Sequence, residues 1–371
     1  MYNRPSSQRI KDAIKGVGSP MLDALGVFDR SIERVRADGS VWTILMYHRV
    51  IEDAADDPFG LGMCVRLPHF EQQLDYFKQH FHVLSVDEAV QRIGRGEPLP
   101  PATLSITFDD GYLDNLNVAQ PVLERLGLPW SLYVTTGDLD AGRSFWWDRA
   151  IRCIALTRAA RLDADRLPHD LGLTNLPLQG MTRWMTLTTL LEALWRTPIE
   201  VSLQVVDALE RQLIPNARPA DGPQAPRMSS AQVRELADRG VEIGAHTVRH
   251  PNLNLLSADG VAAEMAQSRR VLEALLDRPV PGFVYPGGRM NADVVEQARL
   301  GGFRYALSTV PTLNVLPCDL HALGRIGMPD AGVADFKRSL HAIGRRSLSR
   351  PMPAGADRAG GGALTPRSSK C

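Results

Sequence analysis

Along most of the chain, short apolar runs rich in β-branched and aromatic residues alternate with segments whose apolar positions recur at helical spacing. The runs are Val41–Tyr47, Phe81–Ser85, Thr103–Phe108, Ser131–Thr135, Val241–Ala245, Gly282–Tyr285 and Phe303–Leu307, with a weaker one at Leu323–Met328. Their length and composition predict strands. Helices are predicted between them at His69–Gln79, Asn117–Leu126, Ser230–Arg239, Ala258–Leu276 and Ala292–Leu300. Ser229 and Gln232 form a capping box, and Gly240 suits the exit of the same helix. Seven or eight such units predict an α/β fold, as a parallel β/α barrel or a wound open sheet.

Polar residues at the strand ends favour the barrel. His48 follows the first run, Asp109 and Asp110 the third, Thr135 and Thr136 the fourth, His246 the fifth, and Pro286 and Gly287 the sixth. A closed parallel sheet gathers such residues on one carboxyl-terminal rim, whereas an open sheet unites only those beside its switch point. The expectation is a distorted barrel over residues 41–345, preceded by an N-terminal helical segment (1–40) and followed by a disordered tail (346–371).

The alternation breaks between Gly142 and Arg227. Phe145-Trp146-Trp147-Asp148 opens a helical stretch, and Leu187, Leu190, Leu191, Leu194 and Trp195 share one helical face. Thr197-Pro198-Ile199-Glu200 reads as an N-cap, first-turn proline and capping glutamate for the next helix. A linker rich in proline, glycine and alanine follows at Asn216–Pro226. This predicts a helical insertion that covers the barrel mouth.

The bulk properties narrow the function. Among 371 residues, 44% are apolar, which is enough for a full core. The 42 basic and 42 acidic side chains cancel, so nothing points to nucleic acid as a partner. Cys64, Cys153, Cys318 and Cys371 show no close-spaced metal or redox pair. The N-terminus lacks a signal-peptide core and no segment is apolar for long enough to span a bilayer. A cytoplasmic location is the expectation, with the inner membrane surface as the place of any peripheral contact. Residues Ile10–Val35 could supply that contact as a basic amphipathic helix, although such helices more often pack on their own domain. Oligomeric state leaves no trace in the sequence.

Two stretches carry candidate chemistry. Thr107-Phe108-Asp109-Asp110-Gly111 ends an apolar run in two carboxylates, and Gly111 permits a turn there so that the two acids can do different work. Alone, a double aspartate before a helix is more often an N-cap. His246-Thr247-Val248-Arg249-His250 follows another strand-like run. One aspartate and two histidines make an oxygen and nitrogen ligand set suited to zinc or a similar divalent metal. The second aspartate would then be free to act as a base. His48 could be catalytic or a satisfied structural residue, and Trp146 and Trp147 could stack on sugars or anchor packing.

These two stretches and the Tyr285-Pro286-Gly287-Gly288 turn resemble the polysaccharide deacetylase family, also called the NodB-homology domain or carbohydrate esterase family 4. The resemblance covers roughly Val41 to Met328 apart from the insertion. It implies a distorted β/α barrel that removes N-acetyl groups from amino sugars. Carried over by motif, Asp109 is the catalytic base, and Asp110, His246 and His250 hold the metal, most often zinc. The Gly287 N–H would stabilise an oxyanion, and Tyr285, Trp146 and Trp147 are candidates to contact the sugar.

Two departures stand out. The arginine that tethers the base aspartate in many members is replaced here by Val284, leaving Arg289 or Arg325 to compensate. The C-terminal Leu-x-His motif that carries the acid histidine is poorly matched by Leu320-His321. Tyr47-His48 instead matches a subgroup similar to bacterial poly-N-acetylglucosamine deacetylases, so His48 is the expected general acid and His321 the reserve. The function expected is deacetylation of an N-acetylated glycan in bacterial exopolysaccharide or envelope synthesis. The alternatives are hydrolysis of a non-sugar amide, or glycan binding without turnover.

Overall fold

Residues 18–37, 39–174 and 176–347 are described in the computed structural model of the protein. The run Val41–Tyr47 forms strand β1, and its alternation sorts its side chains. Trp42 and Ile44 join an inner cluster with Tyr133, Val284, Tyr305 and Leu307. Val41, Leu45 and Tyr47 join the outer core with Phe70 and Phe77. The following strands are β2 (His82–Val83), β3 (Thr103–Phe108), β4 (Ser131–Val134), β5 (Glu242–Ala245), β6 (Gly282–Val284), β7 (Tyr305–Leu307) and β8 (Ile326–Gly327).

They pair in parallel in the order β7-β6-β5-β4-β3-β1-β8, with β2 beside the start of β3. The sheet curls into a partial barrel, and one segment bridges its open side. The Ala306 N–H donates to the Leu320 carbonyl and the Ser308 N–H to that of Leu323, while the Met328 N–H donates to Met46 on the other edge. This is the distorted β/α barrel expected from the alternation. Inside it, Gly244 is needed because a side chain there would strike the Tyr133 ring.

The outer helices are α1 (Asp29–Ala37), α2 (Leu67–His80), α3 (Val86–Gly94), α4 (Gln120–Leu126), and, after the insertion helices α5 (Trp146–Leu156), α6 (Thr182–Trp195) and α7 (Ile199–Leu213), α8 (Ser230–Asp238), α9 (Ala258–Leu276), α10 (Ala292–Leu300) and α11 (Val333–Ser347). The boundaries of α9 and α10 are those read from the sequence, and the capping box of α8 is present with both bonds made. Helix α3 is absent from the sequence reading, although Ser85 caps it by accepting from the Glu88 N–H.

Three expectations change. The single amphipathic N-terminal helix is interrupted by a turn at residues 25–28, and Phe28, Ile32 and Val35 are buried in the outer core with Phe336, Leu340 and Ile343 of α11. Residues 10–17 lie outside the described residues. Chain order extends past the expected tail boundary, since α11 runs to Ser347, and residues 348–371 lie outside the described residues. Thr197 does not cap α7: its hydroxyl donates back to the Leu194 carbonyl, and Pro198 takes the cap position.

The insertion builds a second hydrophobic core from α5, α6 and α7, which also takes in Phe59 and Tyr112 from the barrel rim. No described helix is long and apolar enough to cross a membrane.

Candidate active site at the carboxyl-terminal rim

The ends of β1, β3 and β5 deliver the candidate residues to one rim. After β3 the chain reverses through Asp110 at φ +75° and Gly111 at φ +87°. Asp109 and Asp110 therefore leave the strand in different directions. Thr247 and His250 also adopt positive φ, at +65° and +59°. Three non-glycine residues in the left-handed region cost roughly 1–3 kcal/mol each, a strain that tends to collect at functional sites.

Asp110, His246 and His250 converge. The Asp110 Oδ1 lies 3.5 Å from His246 Nε2 and 3.4 Å from His250 Nε2, and the two nitrogens are 3.0 Å apart. All three side chains are buried, and neither carboxylate oxygen of Asp110 has a hydrogen-bond partner. Buried oxygens are rarely left so. The His246 Nδ1–H donates to the Val284 carbonyl at 2.8 Å, which turns the Nε2 lone pair toward Asp110. Burial pushes the Asp110 carboxyl up, but the adjacent His246 and His250 side chains hold it well below the usual carboxylate range. Burial, reinforced by His246, lowers His250 to about 3, so its imidazole is neutral. A buried carboxylate without donors, facing two imidazole nitrogens, fits a divalent cation.

The loops that carry these candidate ligands are braced. Glu264 of α9 accepts from the Val248 and Arg249 N–H groups at 2.8 and 3.1 Å. The Gly137 N–H donates to the Val248 carbonyl at 2.6 Å. A side chain at Gly137 would collide with that carbonyl. The Thr135 hydroxyl donates to the His246 carbonyl at 3.1 Å.

Asp109 sits beside this cluster in a different setting. The Arg325 guanidinium, fully buried, grips it with two bonds of 2.7 Å. Burial pushes the Asp109 carboxyl up, yet the Arg325 charge and hydrogen bonds keep it below its ordinary value. Of the two candidate replacements for the missing arginine, Arg325 makes the tether and Arg289 stays exposed. His48 is on the same rim, with its Nε2 4.0 Å from Asp109 Oδ2.

Other candidates are placed differently. The His321 ring is hydrogen-bonded to the Phe303 carbonyl before β7, at the far end of the strands, so it is not positioned as the acid. Tyr285 is buried and its hydroxyl donates to the His321 carbonyl, which takes it away from any sugar. Trp146 and Trp147 are buried as well. Phe145 stacks on Trp147 at 4.3 Å and Trp195 stacks on it at 5.8 Å, so no face of Trp147 is free for a sugar. Trp147 lies 4.7 Å from the His250 ring and walls the ligand cluster. Its indole N–H donates to the Tyr112 hydroxyl, which donates to Asp148, whose carboxyl burial pushes up to about 7. Gly287 is exposed at φ +56°, and the turn's own hydrogen bonds come from the Gly288 and Arg289 N–H groups.

Sequence reasoning missed Glu264 and gave Trp195 no role beyond helix packing. The first sits on a long helix among many charged residues, and the second lies within an insertion that carries no motif.

Comparison with known proteins gives one consistent result. A family model described as polysaccharide deacetylase matches residues 197–306. The putative polysaccharide deacetylase YxkH of Bacillus subtilis (strain 168) is 27% identical over 307 residues, spanning 80% of this chain and 77% of that protein. Two solved structures share the fold. The Streptococcus pyogenes deacetylase PplD, in complex with acetate, has a TM-score of 0.55 at 18% identity, covering 81% of this chain and 98% of its own. IcaB from Ammonifex degensii has a TM-score of 0.52 at 18% identity, covering 82% and 97%. The family-model match takes in the histidine pair and the Pro286 turn that frame the rim, so this part of the chain is similar to polysaccharide deacetylases, and the whole shares the fold of solved deacetylases.

Proposed function

We propose that the protein hydrolyses the N-acetyl group of an amino sugar within a glycan, using a divalent metal held by Asp110, His246 and His250. The observation that carries this reading is the pair of partnerless Asp110 oxygens facing two imidazole nitrogens, next to an aspartate tethered by Arg325. Zinc is the ion that best suits one carboxylate and two imidazoles. When bound, such an ion supplies Lewis acidity, polarising a carbonyl and easing deprotonation of water.

The chain's own residues carry the protons. Asp109, ionised and held by Arg325, takes a proton from the attacking water. The water oxygen bonds to the acetyl carbon, and the Gly287 N–H steadies the negative charge on the carbonyl oxygen. The carbon–nitrogen bond then breaks as protonated His48 donates to the leaving nitrogen, giving acetate and a free amine. PplD, the fold relative solved with acetate, holds the acid this reaction would release. Bacterial exopolysaccharide or envelope synthesis is the setting we propose.

Acetate release from N-acetylated glucosamine oligomers and metal content test the reading together. Asp109→Asn should keep the metal and lose most turnover. His48→Ala should keep the metal and lose roughly 10²–10⁴-fold, while His321→Ala should change little. A large loss in His321→Ala with a mild one in His48→Ala would reverse the assignment of the acid.

A further inference from the structure

The insertion holds a cavity of about 800 Å³ that none of the candidate catalytic or metal-holding residues lines. It lies between the start of α5, the end of α7 and the linker that returns to the barrel. Its size is within the range of small-ligand sites, roughly 300–1,000 Å³. The walls differ in kind. Pro215, Pro219, Pro223 and Pro226 line the linker side, where fixed φ angles give a stiff apolar surface. Elsewhere the guanidiniums of Arg143, Arg149, Arg152 and Arg211 meet the carboxylates of Asp148, Asp207 and Glu210.

The acids are already engaged. Arg149 pairs with Asp207 at 2.5 Å and with Glu210 at 2.7 Å. Asp148 accepts from the Tyr112 hydroxyl at 2.9 Å, and burial pushes its carboxyl up to about 7. The bases are not so occupied. Arg152 donates only to the carbonyls of Asp221 and Arg218. Among the described residues, Arg143 and Arg211 have no hydrogen-bond or ion-pair partner. The cavity therefore has donors and positive charge to spare. A small inorganic anion would use the guanidiniums and leave the proline wall unused. A sugar that carries a carboxylate uses both, with its C–H face on the prolines and its acid in a guanidinium fork.

We propose that this cavity is a second glycan site, separate from the rim, that takes an acidic sugar residue such as a uronic acid. That the occupant is a glycan rests on the deacetylase reading above, and that it is anionic rests on the unpaired arginines. Helix α5 joins the two places. Trp147 lies 4.7 Å from the His250 ring, and its indole N–H reaches Asp148 in the cavity through the Tyr112 hydroxyl. A second point of attachment strengthens the hold on a long chain without any new contact at the rim.

Calorimetric titration of the full chain with oligoglucuronate, neutral N-acetylglucosamine oligomers and inorganic phosphate tests this. Wild type should bind oligoglucuronate, and the double variant Arg143→Gln, Arg211→Gln should weaken it by about tenfold or more. Added salt should weaken wild type more than the variant. Arg211→Gln serves alone if the double variant does not fold. Affinity within about twofold of wild type in a folded variant overturns the proposal. So does a wild type that fails to bind oligoglucuronate, or that binds the neutral oligomers as tightly. Phosphate that binds as tightly as the acidic oligomer reduces the cavity to a simple anion site and overturns the glycan assignment. Acetate release from neutral N-acetylglucosamine oligomers should be the same in variant and wild type. A parallel loss of that activity overturns the separation of the two sites. If wild type releases no acetate at all, the deacetylase reading fails, and the titration still decides what the cavity binds.

Discussion

Asp110 and Glu242 are carboxylates at opposite ends of the same curled sheet, and their surroundings are opposite in kind. Glu242, half-buried at the start of β5, accepts from the Tyr305 hydroxyl and from the Asp87 N–H at 2.7 Å. Burial raises its carboxyl. Asp110, buried at the end of β3, has no donor on either oxygen and faces two imidazole nitrogens. One end of the barrel closes a hydrogen-bond network, which stabilises the fold. The other leaves polar groups unsatisfied and backbone angles strained, an arrangement that persists because the surrounding loops over-determine it. The contrast separates a carboxylate satisfied within the fold from one whose surroundings would suit a cation.

The contrast breaks most visibly on metal loading. Asp110→Ala should abolish metal binding and turnover, whereas Glu242→Gln should retain both. Metal at about 100 times its Kd should stabilise wild type by about 2.7 kcal/mol and leave Asp110→Ala unchanged. Denaturant titration with and without metal measures this. Equal stabilisation of the two proteins would remove Asp110 from the ligand set.

A sharper comparison lies between neighbours, because Asp109 has the donors that Asp110 lacks. Arg325→Met should destabilise the protein by about 3–5 kcal/mol, since it leaves a buried carboxylate unpaired. Turnover should fall while metal content holds. Arg325→Lys should recover part of the stability but not the two-pronged grip. If Arg325→Met turned over normally, the tether would be dispensable and Asp109 would need another orienting group.

The smallest effect concerns Glu242. Its folded-state carboxyl is raised, so the folded protein binds more protons than the unfolded chain between the ordinary glutamate value and the raised one. Its contribution to stability is therefore greatest at low pH and falls as pH rises through that window. Glu242→Gln should flatten this slope and cost about 1–3 kcal/mol at acid pH through one mismatched donor. A slope identical to wild type would assign the pH dependence to other groups.

The sequence by itself determined the local elements and the residues that fall at their ends. Periodicity marked β1, β3 and α9 to the residue, a capping box marked α8, and strand ends followed by Asp109, Asp110 and His246 pointed to the rim. Such features depend on neighbours within a few positions, so side-chain period and backbone capping record them directly. Only the tertiary structure chose Arg325 over Arg289, seated His48 beside Asp109 and left His321 at the far end. It also buried Trp147 and left Trp195 partly exposed. Those outcomes depend on which strand ends become adjacent when the sheet curls and on how the insertion packs across the rim. Both are set by contacts between residues far apart in the chain, which no local pattern encodes.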